Sequence, residues 1–188
     1  MLNKVKKVLK LHGIHIRINY FLVNKIYVGT NPKFFEKKIK LLNSIGHKIG
    51  KGTKIVGPVE CYGNLEIGEN CWIGKNFTVN GNGKVVIGNN CDIASEVTVL
   101  TGGHKIGNAK RRAGEGESYL VTIGNGVWVG GRSTLLNNIV VGDSSVIAAC
   151  ACVNKNVPEN TLVGGILAQE CREVLGAFFA ALRQAEKG

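Results

Sequence analysis

The aliphatic positions of residues 123–153, IGNGVWVGGRSTLLNNIVVGDSSVIAACACV, fall six apart: Ile123, Val129, Leu135, Val141, Ile147 and Val153. An α-helix repeats near 3.6 residues and a pleated strand every two. Six suits neither a helix nor one long strand. It does preserve strand parity if short strands are joined by tight corners. Gly124, Gly130 and Gly142 follow three of these aliphatics, and glycine tolerates positive φ at a corner. Three such units close a triangular coil of about 18 residues, and stacked coils form a parallel β-helix. The residues two before the aliphatics, Val127, Ser133, Ser145 and Ala151, should also point inward. Most are small, as a narrow prism requires.

The repeat begins earlier, at Ile49, Ile55, Cys61, Ile67, Ile73 and Val79. A two-residue slip in NGNG (80–83) resets the phase to Ile87, Ile93 and Val99. The phase breaks over 102–122 and resumes at Ile123, which predicts about five coils: 49–66, 67–86, 87–104, 123–140 and 141–158. Residues 105–122 form an excursion rich in Arg, Gly and Glu. A loop that long in a compact domain is functional or disordered. Upstream, NPKFFEKKIKLLNSIG (31–46) reads as an amphipathic helix, with Phe34, Phe35, Ile39 and Leu42 inward and Lys33, Lys37, Lys38 and Lys40 outward. HGIHIRINYFLVNKIYVG (12–29) has β-branched and aromatic residues without a clean period and supports no single assignment. LNKVKKVLKL near the start reads as a second basic amphipathic helix, and CREVLGAFFAALRQAEKG (171–188) as a helix closing the far end. The expected division is a basic cap segment over 1–46, a β-helix over 47–165 and a C-terminal segment with its helix over 166–188. A helical cap would cover the open edge of the first coil.

Composition sharpens this picture in three ways. The 26 glycines show no period of three, so they serve corners rather than a collagen-like repeat. The net charge of +11 is concentrated at one end: residues 1–46 carry ten Lys/Arg against one acid, Glu36, and the remainder only +2. Six cysteines include no C-x-x-C, and Cys71 and Cys91 occupy the small inward position two before Ile73 and Ile93. They read as core residues, which favours a reducing, cytoplasmic setting. No run of 18 apolar residues offers a membrane span. The first 17 residues lack a continuous apolar centre and a small-residue cleavage site, so no leader is expected.

Candidate chemistry centres on four histidines, His12, His15, His47 and His104. His104 ends LTGGH at the edge of the excursion, where Gly102 and Gly103 leave room beside the imidazole. Histidine is the side chain best suited to proton transfer near neutrality. A corner histidine on the surface would have the same spacing.

The ordered set DIASEVTVLTGGH (92–104), a long loop, VTIGNGVWVGG (121–131) and IVVGDSSVIAACACVNKNVPENTLVGG (139–165) resembles the hexapeptide acyltransferases. Within them it is most similar to the galactoside, maltose and nodulation-factor O-acetyltransferases and the capsule and lipopolysaccharide O-acetyltransferases. The resemblance covers roughly residues 47–174. It implies a left-handed β-helix, a homotrimer with acetyl-CoA in a groove between neighbouring prisms, and direct acetyl transfer without an acyl-enzyme. His104 maps to the general base and the Gly131 N–H to the oxyanion donor. Trp128 and Asn76 map to the acceptor side, where Arg111, Arg112 and Tyr119 of the excursion reach over. Gly130, Gly131, Ala148, Gly164, Gly165 and Arg172 map to the side of acetyl-CoA. The chain departs from the family's G-N-P-A-K, reading G-I-L-A-Q at 165–169, which removes a proline and a lysine from the adenine end. Glu115 or Glu117 could orient His104, and spacing selects neither. No metal is implied.

The expected function is O-acetyl transfer from acetyl-CoA to a sugar hydroxyl in capsule or lipopolysaccharide synthesis. Other acceptors, such as an antibiotic, serine or an amino-sugar amine, share the same prism and base. A serine acetyltransferase would carry a longer helical region before the coils than these 46 residues. A zinc prism needs three histidines meeting between chains, and the coils hold His104 alone, with His47 just before them. A nonenzymatic scaffold would need neither His104 nor Trp128. The basic N-terminal segment has no nucleic-acid motif, so no nucleic-acid partner is expected, and it suits an anionic membrane surface.

Overall fold

The computed structural model describes residues 13–164. The sixfold repeat folds into three flat parallel sheets set as the walls of a prism. Sheet one stacks β1 (Lys48–Ile49), β4 (Asn64–Ile67), β7 (Lys84–Ile87), β12 (Leu120–Ile123) and β15 (Ile139–Val141). Sheet two stacks β2 (Lys54–Ile55), β5 (Trp72–Ile73), β8 (Asp92–Ile93), β13 (Trp128–Val129), β16 (Val146–Ile147) and β18 (Leu162–Val163). Sheet three stacks β3 (Val59–Cys61), β6 (Phe77–Asn80), β9 (Thr98–Leu100), β14 (Thr134–Leu136) and β17 (Cys152–Val153). The chain thus winds five complete coils and begins a sixth.

The register follows the aliphatic period rung by rung. Ile55, Ile73, Ile93, Val129, Ile147 and Val163 pair in succession on sheet two, and Ile49, Ile67, Ile87, Ile123 and Val141 on sheet one. Ile73, Ile93, Val129, Leu135 and Ile147 are wholly buried, each stabilising the prism by about 2 kcal/mol of transfer free energy. The second inward column is also inside: Cys71, Cys91, Val127, Ser133, Ser145 and Ala151 are buried. Its hydroxyls are satisfied by corner carbonyls: Ser133 Oγ donates towards Gly130 O (2.8 Å) and Ala148 O (2.9 Å), and Ser145 Oγ to Pro158 O (2.7 Å). A short polar side chain therefore fits the narrow interior without an unpaired group.

The open edge of the first coil is closed by helices. Helix α1 runs over residues 13–21 and widens into a π-turn at Leu22–Ile26, so residues 13–26 of the unassigned stretch are helical. Its period escaped detection because polar and apolar residues are mixed on both of its faces. Asn19 and Val23 are buried, whereas Ile14, Ile18 and Phe21 are exposed. Helix α2 (Pro32–Asn43) starts at an Asn31 side chain that accepts from Lys33 N. Two asparagines stand in for a neighbouring strand. Asn24 accepts from Val59 N (2.9 Å) and donates to Val59 O (2.8 Å); Asn43 does the same for Ile49 (2.8 and 3.1 Å).

One expectation for α2 is corrected. Lys38 is not outward but fully buried. It follows Phe34 by four residues and Phe35 by three and precedes Leu42 by four, so it occupies the middle of the apolar face. Its ammonium donates to Gly29 O (2.9 Å) and Val56 O (3.2 Å) and lies 4.8 Å from the Phe35 ring centre. Burial pushes its pKa down to about 8. The helices expected at 2–11 and 171–188 lie outside the described residues.

Candidate active site

The excursion is a β-hairpin. It leaves sheet three as β10 (Gly102–Ile106) and returns as β11 (Ala113–Ser118) into sheet one. It therefore begins where the period breaks, three residues before the excursion expected at 105–122, and His104 belongs to the hairpin strand rather than to the end of a coil. His104 stands opposite Gly116, with a register shift between His104 and Ile106. At Gly103 a Cβ would press on the Tyr119 phenol, which would have to swing aside.

His104 Nδ1 lies 3.0 Å from Gly114 O. A carbonyl only accepts, so Nδ1 carries the proton and Nε2 keeps a free lone pair. The orienting group is thus a backbone carbonyl. Glu115 instead pairs with Lys105 across the hairpin (2.7 Å), and Glu117 accepts a long hydrogen bond from the Tyr119 hydroxyl (3.4 Å). Tyr119 titrates above the usual tyrosine range, from partial desolvation first and then the Glu117 charge.

A pocket of about 430 Å³ opens beside His104, lined by Asn80, Asn82, Leu100, Gly102, Gly103, Gly116, Glu117 and Ser118. Ser118 Oγ donates to Asn82 Oδ1 at 2.7 Å. Asn76 is not among these residues. It sits at a corner in the left-handed region, φ 59°, with its amide bonded to Pro58 O, as a corner asparagine does. The asparagines beside His104 are Asn80 and Asn82, which the NGNG slip at the end of β6 places there; that slip was the signal in the sequence. Arg111 and Arg112 lie exposed in the hairpin turn, away from this pocket.

The other candidates gather elsewhere. Trp128 is exposed on sheet two, where it lines a second cleft with Trp72, Asp92, Ile93 and Ala94. Gly130 and Gly131 form the following corner, between sheets two and three. Gly130 N donates to Ile147 O and Arg132 N to Ser95 O. The Gly131 amide has no acceptor among the described residues. Ala148 stands in the register above Gly130, and Gly164 above Ala148, since β16 continues the ladder of β13 and β18 that of β16. This corner is therefore a column of small residues with a free amide beside it. Gly165 and Arg172 lie outside the described residues. Within one chain, then, Trp128 and the Gly130–Gly131 corner are neighbours, while His104 projects from a different corner of the prism. Among the described residues no three His, Cys, Asp or Glu side chains gather as metal ligands.

Such a prism, with a histidine-bearing hairpin and a small-residue corner, defines a β-helix protein of the acyl-transfer class. A galactoside O-acetyltransferase of Escherichia coli K12 is 33% identical over 147 residues, 77% of this chain and 72% of that one. A solved galactoside acetyltransferase in complex with coenzyme A superposes with a TM-score of 0.68 at 27% identity, covering 84% of this chain and 78% of that one. The structure of the polySia-specific acetyltransferase NeuO matches with a TM-score of 0.55 at 28% identity, over 63% of this chain and 57% of that one. No family model matches the sequence. The chain belongs to the hexapeptide-repeat acetyltransferases of left-handed β-helix fold, and acetyl-CoA is its co-substrate.

Proposed function

We propose that the protein moves the acetyl group of acetyl-CoA to a sugar hydroxyl of a surface polysaccharide or its precursor, in the cytoplasm, as a homotrimer with its sites between neighbouring prisms. The observation that carries this reading is the His104 tautomer: Nδ1 is held by Gly114 O, which leaves Nε2 to take a proton. In the reaction Nε2 removes the acceptor proton as the hydroxyl oxygen attacks the thioester carbonyl. The Gly131 amide donates to the resulting oxyanion. Collapse breaks the C–S bond, and the leaving thiolate takes the proton back from His104. Products are the acetyl ester and free CoA thiol.

Asn80 and Asn82 take the acceptor-side place assigned to Asn76, with Tyr119 near it and Trp128 supplied by a neighbouring chain, while Arg111 and Arg112 stay at the hairpin turn outside it. Gly130, Ala148 and Gly164 form the corner against which the pantetheine arm runs. The trimer is supported by the separation of His104 from Trp128 and Gly131 within one chain, since a second chain must complete the site. The similarity to galactoside and polySia acetyltransferases supports a sugar acceptor. The free cysteines among the described residues suit a reducing compartment. The basic segment 1–46 and the exposed Ile14, Ile18 and Phe21 support peripheral contact with an anionic membrane.

The test is CoA thiol release from acetyl-CoA against a panel of sugars and oligosaccharides. Acceptor-dependent release is expected, cut roughly a hundredfold or more in His104→Ala. Equal release by the variant would overturn the base assignment. Release with amines or non-sugar alcohols alone would overturn the acceptor class.

A further inference from the structure

We propose that the cleft between Trp72 and Trp128 is a subsite for an uncharged sugar ring, so that the acceptor is a neutral glycan of more than one residue. The inference rests on the reading of Trp128 as part of a sugar-acceptor site. It begins with register. Lys54, Trp72, Asp92, Trp128, Val146 and Leu162 are successive outward positions on sheet two. The two indoles are therefore two strand spacings apart, about 9.5 Å, with the Asp92 carboxylate between them. These are the only two tryptophans of the chain, and both line one cleft of about 380 Å³, within the size range of small-ligand sites.

The cleft has the parts that a sugar ring needs. An indole face is electron-rich and attracts the slightly positive C–H face of a pyranose. A carboxylate accepts hydrogen bonds from two ring hydroxyls. Asp92 has no ion pair or side-chain hydrogen bond among the described residues, so its acceptor sites are unspent. Trp72 packs edge-on against Phe35 of α2, ring centres 6.3 Å apart, so one wall leans on the cap helix. Trp128 is 56% exposed, the other wall. An acidic sugar would bring its carboxylate against Asp92, and among the described residues no cation lines the cleft to offset the repulsion. The site thereby selects against uronic and sialic acids at this position.

Because the chain's only indoles are here, intrinsic fluorescence reads the cleft directly. The full-length protein is titrated with lactose, with digalacturonate and with CoA, beside Trp72→Ala, Trp72→Phe and Asp92→Asn. Lactose should change the wild-type emission and digalacturonate should bind at least about tenfold more weakly. Trp72→Ala should weaken lactose about tenfold, with Trp72→Phe, which keeps an aromatic against Phe35, intermediate. Asp92→Asn should shrink the neutral-to-acidic preference about tenfold. An unresponsive emission, or a response to CoA without one to lactose, would overturn the proposal. So would unchanged lactose affinity in Trp72→Ala together with unchanged preference in Asp92→Asn. Thiol release with sugars alongside any of those outcomes leaves the acetyltransferase reading standing and removes only the subsite; absence of sugar-dependent release removes the reading beneath it.

Discussion

A basic side chain can be tied down by its hydrogen bonds or keep a nitrogen free, and Lys38 and His104 are the two cases. Both are basic residues on a polar-looking stretch. His104 is exposed and has one ring nitrogen committed to a carbonyl, so its other nitrogen is available. Lys38 is buried and has its protons committed to Gly29 O and Val56 O, so it is a pin between α2 and the first coil. Its pKa, lowered to about 8 from an ordinary 10.5 by desolvation, gives a direct check. Between about pH 8 and 10.5 the unfolded chain binds the proton more readily than the folded one, so stability rises with pH across that window. Below pH 8 both states are protonated and the full burial cost applies. Against wild type, Lys38→Met should lack this rise, a difference on the order of 3 kcal/mol between pH 8 and 10.5, read from urea denaturation at each pH. Parallel curves for the two proteins would show that the ammonium is not desolvated. The sequence did not place Lys38 correctly because lysine is rarely buried; its helical phase, shared with Phe34, Phe35 and Leu42, was the better guide.

At the level of elements, the coils were legible and the cap and hairpin less so, for one reason. In a coil each strand repeats the same inward choice, and the column of Ile55, Ile73 and Ile93 survives the slip of phase at 80–83. Helix α1 breaks the usual rule: Asn19 and Tyr20 face the protein, where Asn19 donates to Leu41 O (3.0 Å) and Ser44 Oγ (2.7 Å), and the Tyr20 hydroxyl donates to Cys61 O (3.1 Å) while its oxygen lies 2.8 Å from His47 Nε2. The outward ridge of Ile14, Ile18 and Phe21, spaced four and three residues apart, is then free, with Arg17 beside it. On the reading of a membrane-facing cap, wild type floats with anionic liposomes at low salt. Replacing Ile14, Ile18 and Phe21 with serine should abolish flotation and leave the neutral-liposome background unchanged. Flotation retained by the variant would return the ridge to a contact within the protein. The hairpin was visible as a break in period, but its pairing, and hence the Gly114 carbonyl behind His104, depends on an antiparallel register that no local repeat encodes.

At the scale of the whole molecule, the proposed site requires His104 to meet Trp128 and Gly131. One prism holds His104 off the corner between sheets three and one, and Gly131 at the corner between sheets two and three. A single chain therefore presents two half-sites facing different directions. In the proposed homotrimer, three chains meeting head to tail would bring one chain's hairpin to its neighbour's small-residue corner and would close after three steps. This predicts complementation. His104→Ala and Trp128→Ala chains, each inactive as a pure homotrimer, are unfolded together and refolded as a mixture. Where a Trp128→Ala chain offers its intact His104 to the intact Trp128 of a His104→Ala neighbour, a complete site forms. Random equal mixing makes roughly one interface in four complete, so thiol release should return to about a quarter of wild type. A site built within one chain gives no recovery at any mixing ratio, because every such site would still carry one of the two substitutions. Light scattering near three times the 20.1 kDa chain mass must accompany the recovery; activity restored in a monomer would place the two half-sites together in a way that the prism forbids.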